Sequence, residues 1–257
     1  MTKFFDLCSF RKVWKSDILS SEINFFDDLI RTSPLLEETL RLRKASVAVI
    51  DLHSMRYLCT IGDLKLIIGW DHDIFLKEGV AFFLSKLESS DYRGLEKMSK
   101  VMTDYVVTLS HDKIANFKSY FDFRMIRPDG QMVRILQEGV ILKRDPTGNI
   151  SLLLAMISNI SYLKRNNRQH LRLTDGNDNL IYEVDNESGL LRKLDNLTKR
   201  ELEIARMIGE KLTSEEIGER LFLSIHTINT HRQNIVRKLN MADMMEINNF
   251  LLAYQII

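Results

Sequence analysis

The chain has 257 residues, of which 45% are hydrophobic and 28% are charged, a balance typical of folded globular proteins rather than disordered ones. Its formal net charge of +1 argues against a surface that is basic throughout, although it allows one local basic face. Charged side chains interrupt residues 1–14, unlike a secretory signal, and no apolar run is long enough to cross a bilayer. Cys8 and Cys59 lack the spacing of a metal site or a disulfide scaffold. We therefore expect a cytoplasmic protein without a membrane partner.

Residues 1–44 are predicted to form a helical cap. Phe26 and Ile30 recur with helical spacing, and Leu36 and Leu40 continue the apolar stripe further along. We expect this cap to pack on the domain that follows it.

Residues 45–161 combine strand-like and helix-like patterns. Ser46–Asp51 and Met55–Thr60 are short strand candidates, and Tyr92–Leu109 has apolar residues at helical spacing. This mixture predicts a domain in which helices pack on a sheet.

Three strands are predicted after the long helix, at Phe117–Arg127, Gln131–Leu142 and Asn149–Ile157. The turns between them contain Pro-Asp-Gly and Asp-Pro-Thr-Gly, in which proline presets its own dihedral angle and glycine accepts a positive one. Two successive turns of this kind predict an antiparallel meander. Alternation within the first strand places three apolar side chains on one face, where they could line a pocket: Phe121, Phe123 and Met125.

Residues 162–195 are predicted to be a connector, because Lys164–Arg172 is basic and polar. Within it, Leu180–Val184 and Leu190–Leu194 could pair as a hairpin.

Residues 196–257 carry the clearest local signals. Thr198 with Glu201, and Thr213 with Glu216, have the spacing of capping boxes at two helix starts. Ser224 is placed to cap a third helix, and an aspartate at position 243 a fourth. Four short helices with two tight connections predict a helix-turn-helix domain.

The third of these helices has two distinct faces. Ile228, Ile235 and Leu239 fall on one side and are predicted to face the core. The opposite side carries hydrogen-bonding groups and no carboxylate: His226, Asn229, Thr230, Gln233 and Arg237. Because amide side chains pair with adenine and a threonine methyl can touch thymine, we expect three residues to read bases in the major groove of DNA: Asn229, Thr230 and Gln233.

Residues 197–251 resemble the LuxR-type DNA-binding domain. The match comprises the opening Leu-Thr-Lys-Arg-Glu from residue 197, the Glu-Ile and Leu of the second helix, and the Ser, Thr, His, Asn and Lys-Leu positions of the third. The resemblance implies binding to double-stranded DNA as a homodimer, with RNA polymerase as a further partner. We expect the DNA backbone to be contacted by Thr227, His231, Arg232, Arg237 and Lys238. We expect the dimer contact on the fourth helix, at Met244, Ile247, Phe250 and Leu251.

Four residues depart from the usual LuxR-type pattern. Asn229 replaces a lysine, Lys211 and Asn240 replace glycines, and Gly218 replaces an alanine. The fold is expected to tolerate all four, since asparagine accepts a left-handed cap and glycine keeps a helix crossing small. The preferred DNA sequence is the property that they put in doubt.

Residues 45–161 resemble a PAS domain. The similarity lies in Ile68-Gly69-Trp70, Ser90-Asp91, the Arg-Pro-Asp-Gly turn at 127–130, and the Asp-Pro-Thr-Gly turn at 145–148 followed by Ser-Asn-Ile-Ser. The resemblance implies that the front domain senses a small molecule or mediates dimerisation. No cofactor is indicated, because Cys59 lacks a flavin-type context and His72 and His111 are more simply surface residues.

The predicted fold class is therefore α+β: a PAS-like antiparallel sheet with helices, followed by an all-α four-helix helix-turn-helix domain. A receiver domain is rejected, because residues 48–53 contain a single carboxylate where metal-assisted phosphoryl chemistry needs a cluster. Two alternatives remain. His111 and Asp112 form a pair of the kind found in metal-dependent hydrolases, although further ligands at suitable spacing are missing. The chain could also be a PAS-based signalling scaffold with a weak DNA-binding domain.

Overall fold

The computed structural model describes residues 34–257, and most of the predicted helical cap lies outside them. Its helices are α1 Pro34–Leu42, α2 Leu64–Ile68, α3 His72–Glu78, α4 Val80–Ser85, α5 Tyr92–Val106, α6 His111–Ile114, α7 Lys199–Gly209, α8 Ser214–Leu221, α9 Ile225–Leu239 and α10 Met244–Ala253. Its strands are β1 Ala45–Asp51, β2 Arg56–Gly62, β3 Lys118–Ile126, β4 Met132–Arg144, β5 Ile150–Asn159, β6 Gln169–Thr174, β7 Asn179–Val184 and β8 Leu191–Lys193. No helix in this part of the chain is both long and apolar enough to span a membrane.

The strands form one antiparallel sheet with the order β2-β1-β5-β4-β3-β6-β7-β8. The predicted meander is present as β3, β4 and β5, and the five helices α2 to α6 separate β2 from β3. Because the four helices α7 to α10 follow the sheet, the predicted fold class is confirmed.

The segment predicted as a connector is part of the sheet. The suggested hairpin exists as β7 and β8, with Val184 paired to Leu191. The polar stretch before it differs from the prediction, since β6 pairs with β3 and extends the sheet beyond the meander. Lys164 and His170, which belong to this basic and polar stretch, are both buried.

The two faces of the sheet cover different cores. Strand alternation turns Phe123 and Met125 of β3 toward the helices α2 to α5, where they join the larger apolar cluster. Tyr120 of β3 and Leu136 of β4 point the other way and pack with the C-terminal helices in a second cluster. The sheet therefore lies between the front helices and the C-terminal domain.

Candidate nucleic-acid interface

Both predicted capping boxes fix helix starts in the C-terminal domain. The Thr198 hydroxyl accepts from the Glu201 amide, while the Glu201 carboxylate accepts from the Thr198 amide at 2.7 Å. Thr213 and Glu216 make the same reciprocal pair at the start of α8. Such pairs satisfy amides that have no partner within the helix. They hold α7 and α8 as the scaffold for α9.

The predicted faces of α9 are confirmed. Ile228, Ile235 and Leu239 are fully buried in the core of the domain. The polar residues on the opposite side are all exposed: His226, Asn229, Thr230, Gln233 and Arg237. Since residues 224–240 contain no carboxylate, this face carries hydrogen-bonding groups and positive charge only.

The three predicted base-reading residues differ in how freely their side chains can bind. The Asn229 Oδ1 accepts a hydrogen bond from the Ser214 hydroxyl at 2.9 Å, which orients its amide. The Thr230 hydroxyl donates to the His226 carbonyl at 3.0 Å, so its hydrogen is already used within the helix. Within the described part of the chain, the Gln233 amide makes no hydrogen bond, so it has all its donors and acceptors available.

Lys238 differs from the other cations that were predicted to contact the DNA backbone. Its Nζ lies 2.7 Å from the Glu201 Oε2 and 3.4 Å from the Asn196 carbonyl, so it supports the start of α7 instead of facing outward. Burial alone would raise the pKa of Glu201, but the Lys238 ammonium and the Thr198 groups outweigh it and lower that pKa. Arg237 is exposed, and Arg232 donates to the Ser214 hydroxyl at 3.2 Å.

The other two residues that were predicted to contact the DNA backbone are only partly exposed. Thr227 is half-buried, and its hydroxyl lies 2.8 Å from the hydroxyl of Ser224, the residue that caps α9. His231 is also half-buried. Arg237 is therefore the most open cation on this helix.

Two of the four departures from the LuxR-type pattern lie at turns, whereas Gly218 and Asn229 lie within α8 and α9. Lys211 and Asn240 have positive φ angles of 68° and 52°, the conformation that glycine adopts most readily. At Gly218, an added Cβ would come within 2.8 Å of the Leu223 carbonyl oxygen. The absence of a side chain at 218 therefore lets the following turn pack closely on α8.

The predicted dimer contact also needs correction. Ile247, Phe250 and Leu251 are buried within their own chain, against the other C-terminal helices and the sheet. They cannot touch a second chain in this conformation. The apolar residues that α10 leaves exposed are Met245 and Leu252, at 72% and 54%. Met244 is half-buried.

A buried ionic cluster joins α10 to the sheet. The Asp122 carboxylate accepts hydrogen bonds from the Lys164 ammonium at 2.7 Å, from the His170 amide at 2.8 Å, and from Arg134 and the Tyr254 hydroxyl. All five residues are buried. Asp122 therefore ties three parts of the front domain to the end of the last helix.

Burial and neighbouring charge shift the pKa values in this cluster. Burial lowers the pKa of Lys164 to about 8, despite the nearby Asp122. Burial and the Lys164 charge lower the pKa of His170 to about 4. Burial opposes ionisation of Asp122, but Lys164 and Arg134 outweigh it and hold its pKa below the usual range.

Further polar contacts fix the docked position of the C-terminal domain. Arg172 donates to the carbonyl of Tyr254 at 2.7 Å, and the Gln255 amide donates to Glu138 of β4 at 2.9 Å. Arg168 donates to the carbonyl of Asn240 at 3.0 Å. In this position the sheet holds α10 and leaves the polar face of α9 exposed.

A cavity lies on the other side of the sheet. Its volume is about 40 Å³, and it has no charged lining residue. Its polar lining residues are Ser46, Tyr57, Thr60 and Gln137. Phe123 and Met125 line it as predicted, whereas Phe121 lines a neighbouring cavity that shares Tyr57 and Gln137 with the first.

His72 and His111 do not have the surroundings of cofactor or metal ligands. His72 bonds Thr60 and the carbonyl of Gly62 at 2.6 and 2.7 Å. His111 and Asp112 are exposed at the start of the short helix α6. In residues 34–257, no three His, Cys, Asp or Glu side chains are grouped so that they could hold a metal ion.

Residues 195–250 match the sequence model of the family described as bacterial regulatory proteins, luxR family. Over 49 residues the chain is 53% identical to the transcriptional regulatory protein LiaR of Bacillus subtilis, covering 19% of this chain and 23% of LiaR. It is 35% identical over 81 residues to a nitrate/nitrite response regulator protein homolog of Haemophilus influenzae, covering 32% of this chain and 38% of that protein. The chain thus spans well under half the length of these relatives.

Two solved structures show more distant likeness. The N-terminal domain of a diguanylate cyclase with a PAS/PAC sensor from Marinobacter aquaeolei is similar to 46% of this chain. The similarity has a TM-score of 0.37 and 18% identity, and covers 97% of that domain. The VqmA–ligand–DNA complex of Vibrio cholera is similar over 85% of this chain and 86% of that chain, with a TM-score of 0.32 and 14% identity.

Proposed function

We propose, from the premise that residues 195–250 form a LuxR-type helix-turn-helix domain, that this protein is a sequence-specific DNA-binding transcription regulator. The observation that carries the proposal is the outward face of α9, which is exposed, polar and free of carboxylates. A recognition helix reads base edges from such a face. Docking on the sheet does not cover it, so the described conformation supports access to DNA.

The test of this proposal is the salt dependence of duplex binding. Each phosphate contact that is lost flattens the slope of log affinity against log salt by roughly 0.9. We expect this change in Arg237→Ala, because that guanidinium is exposed on the polar face of α9. Arg232→Ala should act similarly, since the only side-chain hydrogen bond that Arg232 makes within residues 34–257 is a 3.2 Å contact to the Ser214 hydroxyl.

Lys238→Ala is the matched control from the same helix. Its ammonium is held by Glu201, so we expect a less stable domain with an unchanged salt slope. If the slope stays constant in both arginine variants, α9 does not face the phosphates and the proposed interface is wrong.

We propose that two chains bind each operator. Met245 and Leu252 support this, because they leave apolar surface on α10 after its inner face has docked. They replace Ile247, Phe250 and Leu251 as the contact between chains. Sedimentation during the same DNA titration gives the number of chains per duplex.

We propose that the front domain senses a small uncharged molecule. The lining of the cavity behind the sheet supports sensing, because it is apolar with a few hydrogen-bonding groups; at about 40 Å³ the cavity must widen to admit such a molecule. A ligand with an apolar body could bond Tyr57 or Gln137. A thermal shift screen of uncharged compounds should find one that raises the melting temperature, since ligand binding stabilises the folded state. Ala48→Leu, which narrows the cavity, should abolish that shift.

A regulator of this kind would act in the cytoplasm and could contact RNA polymerase once bound to DNA. The hydrolase alternative has less support, because His111 and Asp112 are exposed with no further ligand beside them among the described residues. The similarity to regulatory proteins likewise points to a regulator rather than an enzyme.

A further inference from the structure

The turn between α8 and α9 carries an exposed aromatic ring. Phe222 is 94% exposed, the highest value among the large hydrophobic residues exposed in residues 34–257. Its backbone has φ 54° and ψ 44°, in the left-handed region. Residues with a Cβ enter this region at a cost that glycine does not bear.

The fold requires the turn but not the aromatic side chain. The Leu223 amide donates to the Gly218 carbonyl at 2.9 Å, which closes the end of α8. The turn can pack this closely on α8 because Gly218 has no Cβ. The ring of Phe222 is in solvent, so it adds no burial that would offset its backbone conformation. A strained and unburied residue of this kind is a candidate for a functional contact.

The position of Phe222 indicates what it contacts. It lies two residues before Ser224, whose hydroxyl accepts from the Thr227 amide and caps α9. Ile225, at the first position of the same helix, is 46% exposed. The N-terminal part of a recognition helix is the part that enters the major groove. Phe222 therefore lies beside the groove rather than at the far end of the helix.

The surroundings of the ring also allow contact with DNA. The Arg200 guanidinium donates to the Leu221 carbonyl at 3.1 Å, directly before Phe222, and pairs with the Glu203 carboxylate at 2.7 Å, so it adds little net charge at this turn. The ring itself is apolar and can pack on a deoxyribose or on a thymine methyl.

We propose that Phe222 is a DNA contact at the edge of the half-site, where its ring packs on deoxyribose and thymine methyl groups. This inference rests on the proposed function of α9. It adds an apolar determinant to the polar set on that helix. It also accounts for a phenylalanine at a backbone position that suits glycine.

The test compares Phe222→Gly with Phe222→Tyr in the full chain, on a duplex selected by the wild-type protein. Phe222→Gly should raise the melting temperature, because glycine relieves the backbone, and should weaken binding to this duplex by roughly tenfold. The salt slope should stay unchanged, since no charge is removed. Phe222→Tyr keeps the ring and should bind like the wild type. A glycine variant that melts no lower than the wild type rules out misfolding as the cause of its weaker binding.

Two outcomes would overturn this inference and leave the proposed function intact. One is equal DNA affinity of Phe222→Gly and the wild type; the other is a Phe222→Gly protein that loses transcription in cells while its DNA affinity is unchanged. The second outcome would assign the ring to a protein partner. If the wild-type chain selects no duplex at all, the proposed function fails together with this contact, so the two failures are distinguishable.

Discussion

Replacing Asp122 with alanine should lower the free energy of unfolding by about 3–5 kcal/mol, the usual cost of removing one partner from a buried charge cluster. The substitution leaves the Lys164 and Arg134 cations buried without the carboxylate that they share. It also removes the acceptor for the Tyr254 hydroxyl and the His170 amide. Chemical denaturation of both proteins measures the difference.

Tyr254→Phe is the matched control for the contact between the domains. It removes one hydroxyl donor but keeps the ring, which is packed on Phe250 with 4.6 Å between centroids. A hydrogen bond to a charged group contributes about 1.5–3 kcal/mol, so this variant should lose less stability than Asp122→Ala. Hydrogen exchange should also become faster at the amides of α10. An Asp122→Ala protein as stable as the wild type would show that the cluster contributes nothing.

The charges around Asp122 lead us to expect that the protein loses stability in acid. The pKa of His170 is lowered to about 4, so the folded state keeps this ring neutral while the unfolded state binds a proton near pH 6.5. Stability therefore falls as the pH drops from about 6.5 to 4. The pKa of Asp122 is also lowered, so its contribution is present above its unfolded pKa near 4 and is lost below it. Asp122→Asn should remove the second of these losses.

The C-terminal domain could be predicted because its signals are local. Capping boxes span four residues, and the two faces of α9 repeat within one helix. Burial of Ile228 and exposure of Gln233 follow directly from that spacing. The same reasoning fails for Lys238, because its partner Glu201 lies 37 residues earlier on another helix. A helical wheel shows which residues share a face but not which distant carboxylate a lysine will meet.

The docking of the two domains could not be predicted for a related reason. Lys164 appears solvated in the sequence because lysine is rarely buried, yet it pairs with Asp122, 42 residues away. The apolar side chains of α10 indicate that this helix packs against something, but the sequence does not show whether that is a sheet of the same chain or a second copy. Only the fold shows that Ile247 and Phe250 pack in the core shared with the sheet, while Leu252 is exposed.

Gln233→Ala should remove roughly 1–3 kcal/mol of discrimination at one base pair, the usual contribution of a bidentate contact. Gln233 is exposed in the middle of the polar face of α9. Its side-chain amide makes no hydrogen bond within residues 34–257, so the amide oxygen and nitrogen are both available to pair with adenine. Asn229→Ala should have a smaller effect at a neighbouring base pair, because Ser214 already bonds its Oδ1. We expect half-sites rich in A·T pairs, with Thr230 presenting its methyl group to thymine.

Selection from random duplexes, repeated with the wild type and each variant, measures these preferences directly. Arg237→Ala is the control, since loss of a phosphate contact should weaken all sequences alike. Non-specific affinity, measured on a duplex lacking the selected site, should stay nearly constant in Gln233→Ala because phosphate contacts carry it. A Gln233→Ala protein that selects the same sequences as the wild type would place base recognition on other residues, even if α9 still contacts the DNA backbone.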